Sequence, residues 1–286
     1  MFCYPAQHES ETRVKPGIAI VGAGNFGGAM AASLRRAGYA VELVKRPSSA
    51  NRAAPIKGVP IKLRATIVWF CVPDREIASA AKAWADKIDW KGRVALHSSG
   101  ALTSDELDVL RRQGAAVASV HPLMTFVRGS RPSLKGVSFA VEGDAVALRA
   151  SRRIVKDLGG KPYSIRKEDK SAYHAWGTFA SPLLTALLAT TEQVAAQAGV
   201  DPRVARRRAL PILRQTLANY AALGADAGFS GPIIRGDVDT IHRHLQVLKR
   251  HSEMQEVYLA LARAAVRYLP GNNKRSVLRA LNRNQT

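Results

Sequence analysis

Cysteine is almost missing from this chain: Cys3 and Cys71 are the two it has in 286 residues, too few for a disulfide framework. Cys71 lies in an apolar run and reads as a small buried hydrophobe rather than a nucleophile. Long hydrophobic runs are missing too. No stretch approaches the roughly 18 residues of a membrane span, and the polar, mixed-charge residues 1–15 have no secretory pattern, so the simplest expectation is a cytoplasmic protein with no membrane contact. Aromatic residues make up only 6% and are not interleaved with the basic clusters, which excludes a base-stacking platform. Metal-ligand spacing is absent as well, since His242 and His244 stand two apart in a helical stretch and so on different faces.

Positive charge, by contrast, is in excess, with 43 Lys and Arg against 22 Asp and Glu and a formal net charge of +21. The basic groups are scattered: Arg35-Arg36, Arg111-Arg112, Arg152-Arg153, Arg206-Arg207-Arg208, Lys249-Arg250 and Lys274-Arg275. Such a spread reads as solvated surface that steers anionic cofactors and substrates, and makes a nucleic-acid partner an unfavoured expectation. With 47% hydrophobic residues the chain can bury a substantial core.

The densest information lies in Ile18-Ala-Ile-Val-Gly-Ala-Gly-Asn-Phe-Gly-Gly28, an apolar strand running into a Gly-x-Gly-x-x-Gly turn and then a helix. Gly22 permits the tight turn, Gly24 lets backbone approach a pyrophosphate, and Gly27 lets helix and strand pack closely. The free N–H groups at the helix start, around Asn25 and Phe26, face the phosphates. A second β-rich segment, residues 39–45, follows the helix of residues 26–37 after Gly38 and completes a βαβ unit. Its end reads Val44-Lys45-Arg46-Pro47-Ser48-Ser49, without the carboxylate that holds the ribose hydroxyls of NAD. Arg46 and Ser48 offer a 2′-phosphate a bidentate guanidinium and a hydroxyl, so NADP is the expected cofactor.

Up to residue 166, β-branched runs at 66–72, 93–97, 116–120, 137–141 and 162–165 alternate with helical stretches, which predicts an α/β fold with a doubly wound, mainly parallel sheet. From residue 167 the pattern is helical throughout: Asp201-Pro202 is a capped helix start, and Ile241, Leu245 and Leu248 share one face. The expected organisation is a flexible segment 1–15, a dinucleotide-binding domain 16–166 and an all-helical substrate and dimerisation domain 167–286.

In open α/β sheets ligands bind at the carboxyl ends of the strands. Those ends read Cys71-Val72-Pro73-Asp74, His97-Ser98-Ser99-Gly100 and His121-Pro122-Leu123-Met124-Thr125-Phe126. Val72 and Pro73 are placed at the adenosine side, Ser98 and Ser99 near the nicotinamide, and His121 over the cleft. Lys170 and His174, four apart on the helix that follows, are candidates for proton transfer, against the alternative of an ordinary amphipathic helix whose wet side carries both. Arg235 and Asp237, in Ser230-Gly-Pro-Ile-Ile-Arg-Gly-Asp237, are candidate substrate contacts, with helix capping the competing role for Asp237.

Taken together, Gly22-x-Gly24-x-x-Gly27, Val72-Pro73-Asp74, His97-Ser98-Ser99-Gly100, His121-Pro122 with Phe126, Lys170-x-x-Tyr173-His174-Ala175, Gly231-Pro232 with Arg235-Gly236-Asp237, and His244-Leu245 resemble the Rossmann-like proteins with a C-terminal domain of unknown function 2520. The resemblance covers nearly all of the chain after Lys15. It implies relatives among pyrroline-5-carboxylate reductases, NADP-dependent F420 oxidoreductases, and 6-phosphogluconate and β-hydroxyacid dehydrogenases. In the dehydrogenases a helix lysine and an asparagine four residues on are catalytic. Lys170 takes the lysine's place, His174 stands at the asparagine, and Ser181, followed by Pro182, replaces a further asparagine of the close family. A homodimer interlocked through the helical domain is implied as well. The expected function is an NADP(H)-dependent oxidoreductase acting on a small carbonyl, alcohol or imine; the alternative is a non-catalytic dinucleotide- or metabolite-binding protein.

Overall fold

A computed structural model describes residues 14–44 and 63–282. It resolves two compact units, Met1–Ala180 and Ser181–Thr286. The first is built on a seven-stranded sheet in the order β2-β1-β3-β4-β5-β6-β7, from strands β1 (Ile18–Val21), β2 (Val41–Val44), β3 (Ile67–Phe70), β4 (Val94–His97), β5 (Ala116–Pro122), β6 (Ser138–Gly143) and β7 (Lys161–Ser164). Every neighbouring pair is parallel except β5 with β6, which is antiparallel. This is the doubly wound, mainly parallel α/β sheet expected from the alternation of β-branched and helical stretches.

Parallel strands covered on both faces have no wet side, so they read as unbroken apolar runs. In β1 all four residues are buried, with Ile18 and Ile20 on one face and Ala19 and Val21 on the other. The first face packs against α1 (Asn25–Arg36) through Met30 and Leu34, and against α4 (Ala145–Asp157) through Ala147, Ile154 and Val155. The second packs against α2 (Ile77–Ala85) through Ile77, Ala81 and Trp84, with Leu110 of the short α3 (Asp108–Arg111) beside them. The unit continues through α5 (Lys170–Thr178) to Ala180, because Lys170 and Tyr173 are buried among the strand ends.

The second unit is all helix: α6 (Leu184–Gln197), α7 (Pro202–Gly228), α8 (Pro232–Arg235), α9 (Val238–Leu248), α10 (Ser252–Tyr268) and α11 (Lys274–Asn282). Asp201 caps α7 by accepting from the N–H groups of Arg203 and Val204, with Pro202 in the first turn. Ile241 and Leu245 of α9 join Leu259, Ala262 and Val266 of α10 and Val277 and Leu281 of α11 in one core. The helices α6 and α7 are different: α6 buries no residue and α7 only Ala205. Among the described residues, no helix is long and apolar enough to cross a membrane.

Candidate functional site

The order of strands places a switch point at β1, flanked by β2 on one side and β3 on the other. Connections leave these neighbours in opposite directions, which opens a crevice at their carboxyl ends. Gly22 is there at φ 106°, and a Cβ on it would lie 2.5 Å from the carbonyl oxygen of Cys71. At Gly27 a Cβ would lie 2.0 Å from the carbonyl oxygen of Gly22, so the helix can close on the strand only over glycine. Gly24 is the opposite case. It caps the start of α1 without any side-chain hydrogen bond, and among the described residues a Cβ on it would meet nothing within 4 Å. The first turn of a twelve-residue helix therefore points uncapped amides into open space, a cradle suited to a pyrophosphate. Phe126 stacks edge-on against Phe26 at 5.1 Å and so brings the segment after β5 to the same helix start. Val72 touches the Gly22 turn, and Pro73 is exposed beside it. Arg46 and Ser48, the expected 2′-phosphate contacts, lie outside the described residues.

The ends of β4 and β5 are built from side chains instead. His97 is fully buried at the end of β4; its Nδ1 accepts from the Ser99 N–H at 3.1 Å and its Nε2 lies 2.9 Å from the Thr103 carbonyl. That pairing fixes a neutral ring protonated on Nε2. Burial and the nearby Lys170 cation hold its pKa down at about 3. The Ser99 hydroxyl donates to Asp74 at 2.7 Å and accepts from the N–H groups of Ala101 and Leu102, while the Ser98 hydroxyl accepts from Trp69 Nε1 at 2.8 Å. Both serines, expected to face a ligand, have their hydroxyls engaged in shaping the loop.

Lys170 is only 1% exposed. Its ammonium donates to the Ser99 carbonyl at 3.0 Å and the Ser119 hydroxyl at 2.6 Å, and stands 3.9 Å from Glu142 on β6. Glu142 is itself buried and accepts from the backbone N–H and the hydroxyl of Ser104 at 2.6 and 2.8 Å. Burial lowers the Lys170 pKa to about 8, with Glu142 and Asp74 opposing the shift. Lys170 therefore does not share an exposed face with His174: its stem turns under the strand ends, whereas His174 stays exposed.

One turn along, Tyr173 reaches the second histidine. Its hydroxyl lies 2.8 Å from His121 Nδ1 and 3.4 Å from the His121 carbonyl oxygen. The His121 ring stands edge-on to the rings of Tyr173 and His174, at 5.4 and 6.2 Å. Gly100 closes the wall, since a Cβ on it would lie 2.7 Å from His174 Cδ2 and 2.9 Å from His121 Nε2. Burial, then Lys170, then His174 bring the His121 pKa to about 4. Lys170, His174 and His121 are thus brought together with His97, as are the glycines of the cradle among themselves. Glu142, Ser104 and Ser119 were not singled out in the sequence, and Tyr173 entered only as part of the Lys170-x-x-Tyr173-His174 motif, with no role of its own. A carboxylate closing the apolar run 137–141 was the one available signal for Glu142.

In the second unit, Asp237 caps α9 by accepting from the Thr240 N–H at 3.0 Å and the Thr240 hydroxyl at 2.8 Å, which is the capping role. Arg235 is exposed at the end of α8. Gly236, in the left-handed region at φ 69°, is packed against Asn272 and Asn273, so the Arg-Gly-Asp turn is held by the helical core.

These features define a dinucleotide-binding α/β fold followed by a helical unit, and comparison with known proteins identifies both parts. Residues 5–122 match the Rossmann-like domain family, and residues 137–265 match the domain of unknown function 2520 (DUF2520). The chain thus carries a Rossmann-like domain followed by a DUF2520 domain. No curated protein matches it in sequence. Among solved structures it is similar to a Bacteroides fragilis protein described as an NADP oxidoreductase, at 18% identity and a TM-score of 0.69, covering 87% of this chain and 97% of that one. It is similar to an Aspergillus terreus reductive aminase in complex with NADPH and ethyl levulinate, at 16% identity and a TM-score of 0.63, covering 93% and 99%. Plasmodium falciparum pyrroline carboxylate reductase with NADP bound aligns at 12% identity and a TM-score of 0.57, covering 95% and 97%. At these identities the likeness is one of fold.

Proposed function

We propose that this chain is an NADP(H)-dependent oxidoreductase acting on a small carbonyl, alcohol or imine. The observation that carries the proposal is the uncapped start of α1 with open space at Gly24, set at the β1 switch point. The amides of Asn25, Phe26 and Gly27 would hold the pyrophosphate, Val72 and Pro73 the adenosine side, and Arg46 with Ser48 the 2′-phosphate. The fold neighbours with NADP or NADPH bound support the cofactor class. When bound, the nicotinamide gives or takes the hydride. The chain's own part is the proton, managed by Lys170, His174 or His121 at the ends of β4 and β5. Titration of the purified protein with NADPH, NADH and F420, then a metabolite screen at the nicotinamide absorbance band, tests this. NADPH binding with turnover of a carbonyl or imine is the expected result.

One observation favours a second role, a binding protein without turnover: Lys170 is buried, with its ammonium engaged by Ser99, Ser119 and Glu142. That role predicts NADPH affinity with no nicotinamide oxidation by any substrate. We also propose a homodimer through the helical unit. Exposed Leu183, Ile212, Leu217, Tyr220 and Leu223 lie on or next to α6 and α7, the helices that bury almost nothing in one chain. Sedimentation at micromolar concentration is expected to give a dimer, and a strict monomer refutes it.

A further inference from the structure

Three histidines and a lysine meet at the ends of β4 and β5, yet their free valences are not equivalent. His97 uses both ring nitrogens within the loop. Lys170 directs its protons to Ser99, Ser119 and Glu142, all within the chain. His121 uses only Nδ1, on Tyr173; its Nε2 has no hydrogen-bond partner among the described residues and faces the wall formed by Gly100 and His174.

We propose that His121 Nε2 is the atom through which this site takes up and returns the substrate proton, that Tyr173 is the positioning residue fixing its tautomer, and that the Lys170–Glu142 pair is a buried strut that does not meet substrate. The proposal deepens the oxidoreductase role and rests on it.

The tautomer follows from counting protons. A tyrosine hydroxyl has one, and Tyr173 lies near two groups of His121, Nδ1 at 2.8 Å and the carbonyl oxygen, toward which it donates, at 3.4 Å. Both contacts are satisfied together only if Tyr173 donates to the carbonyl and accepts from Nδ1–H. Nε2 is then left with its lone pair toward Gly100 and His174. In the oxidative direction a substrate O–H or N–H bond breaks and Nε2–H forms, giving an imidazolium whose Nδ1–H stays on the Tyr173 oxygen. In the reductive direction Nε2–H breaks and the proton joins the substrate oxygen or nitrogen, one proton for each hydride.

The groups around the ring determine its charge. Lys170 and His174 of α5, with His97 of β4, are the nearby basic groups, and Tyr173, backed by Tyr163 of β7 at 6.4 Å between ring centres, adds no charge near neutrality. Glu142 neutralises Lys170 from below without touching His121. The ring is therefore held neutral, ready to accept.

The test uses the full chain with 15N-labelled histidine, following two-bond proton–nitrogen correlations across acid to neutral pH, with the His121 signals assigned from His121→Gln. The wild type is expected to show His121 as the Nδ1–H tautomer near neutral pH. Tyr173→Phe is expected to move it toward Nε2–H while NADPH affinity, read by fluorescence, stays within a few-fold. A purely structural Tyr173 would leave the tautomer unmoved. A wild type that binds NADPH with His121 as Nε2–H overturns this assignment alone, whether or not the tyrosine variant folds. An Nδ1–H tautomer in a wild type that fails to bind NADPH overturns the oxidoreductase role and with it the catalytic use of Nε2.

Discussion

The two halves of the crevice are made in opposite ways. At the ends of β1 and β3 the site consists of backbone and missing side chains, with Gly22 and Gly27 packed against neighbouring atoms and Gly24 facing nothing within 4 Å among the described residues. At the ends of β4 and β5 it consists of buried side chains: His97 at 0%, Lys170 at 1% and Glu142 at 4% exposure. A helix start binds any phosphate that reaches it because its amides are already oriented, at no desolvation cost to the fold. Buried charges and imidazoles cost stability and are tolerated when each finds a partner. The first half therefore tolerates losses of ligand without losing the fold, while in the second half binding chemistry and folding are tied together.

Glycine substitutions separate these roles most sharply. Gly27→Val is expected to prevent folding, because its Cβ would lie 2.0 Å from the Gly22 carbonyl oxygen. Gly24→Val is expected to leave the circular dichroism and melting curve close to wild type and to abolish NADPH binding in calorimetry. A folded Gly24→Val that binds normally removes the cradle from the site.

In the other half, Lys170→Met leaves the buried Glu142 carboxylate without its cation and is expected to lower stability by about 3–5 kcal/mol, the usual result of breaking a buried pair. Urea denaturation measures it, and Lys170→Met combined with Glu142→Gln is expected to recover most of the loss. An additive double variant would show that the two do not interact across their 3.9 Å separation.

A smaller effect is expected at Arg46, which lies outside the described residues. Arg46→Asp should weaken NADPH by about 1.5–3 kcal/mol, the range for a hydrogen bond to a charged group, and leave NADH nearly unchanged. Equal losses for both dinucleotides would remove Arg46 from the 2′-phosphate.

The pH dependence of folding tests the same buried half. His121 and His97 titrate near 4 and 3 in the folded chain, below the ordinary 6.5, so the unfolded chain binds more protons between those values. The histidines' contribution is then complete above about pH 6.5 and declines as pH falls toward 4. Lys170, brought down to about 8 from 10.5, acts in the same sense at alkaline pH, with stability rising between those values. Denaturant midpoints from pH 4 to 7 for the wild type and for His121→Gln check the acid limb, which should be shallower in the variant.

The amino-acid sequence alone determined the seven strands, the βαβ turn and the capped start of α7, because each is fixed by short-range chemistry: alternating apolar runs, glycines at set spacing, and Asp201 before Pro202. It also pointed to His121, Lys170 and His174, since residues after parallel strands and in the helix that follows converge at one end of a sheet. What it did not contain was which way those side chains turn. Lys170 and His174 are four apart, yet one is buried beneath the strand ends and the other exposed, a difference decided by Glu142 and Ser119, far away in the chain. The hydroxyls of Ser98 and Ser99 are engaged by Trp69 and Asp74 for the same reason, as His121 Nδ1 is by Tyr173. Hydrogen-bond partners separated by 25 to 71 residues come within reach only once the sheet has assembled, so local pattern gives the elements and the glycine cradle, and the tertiary structure alone gives each buried polar group its partner and its protonation state.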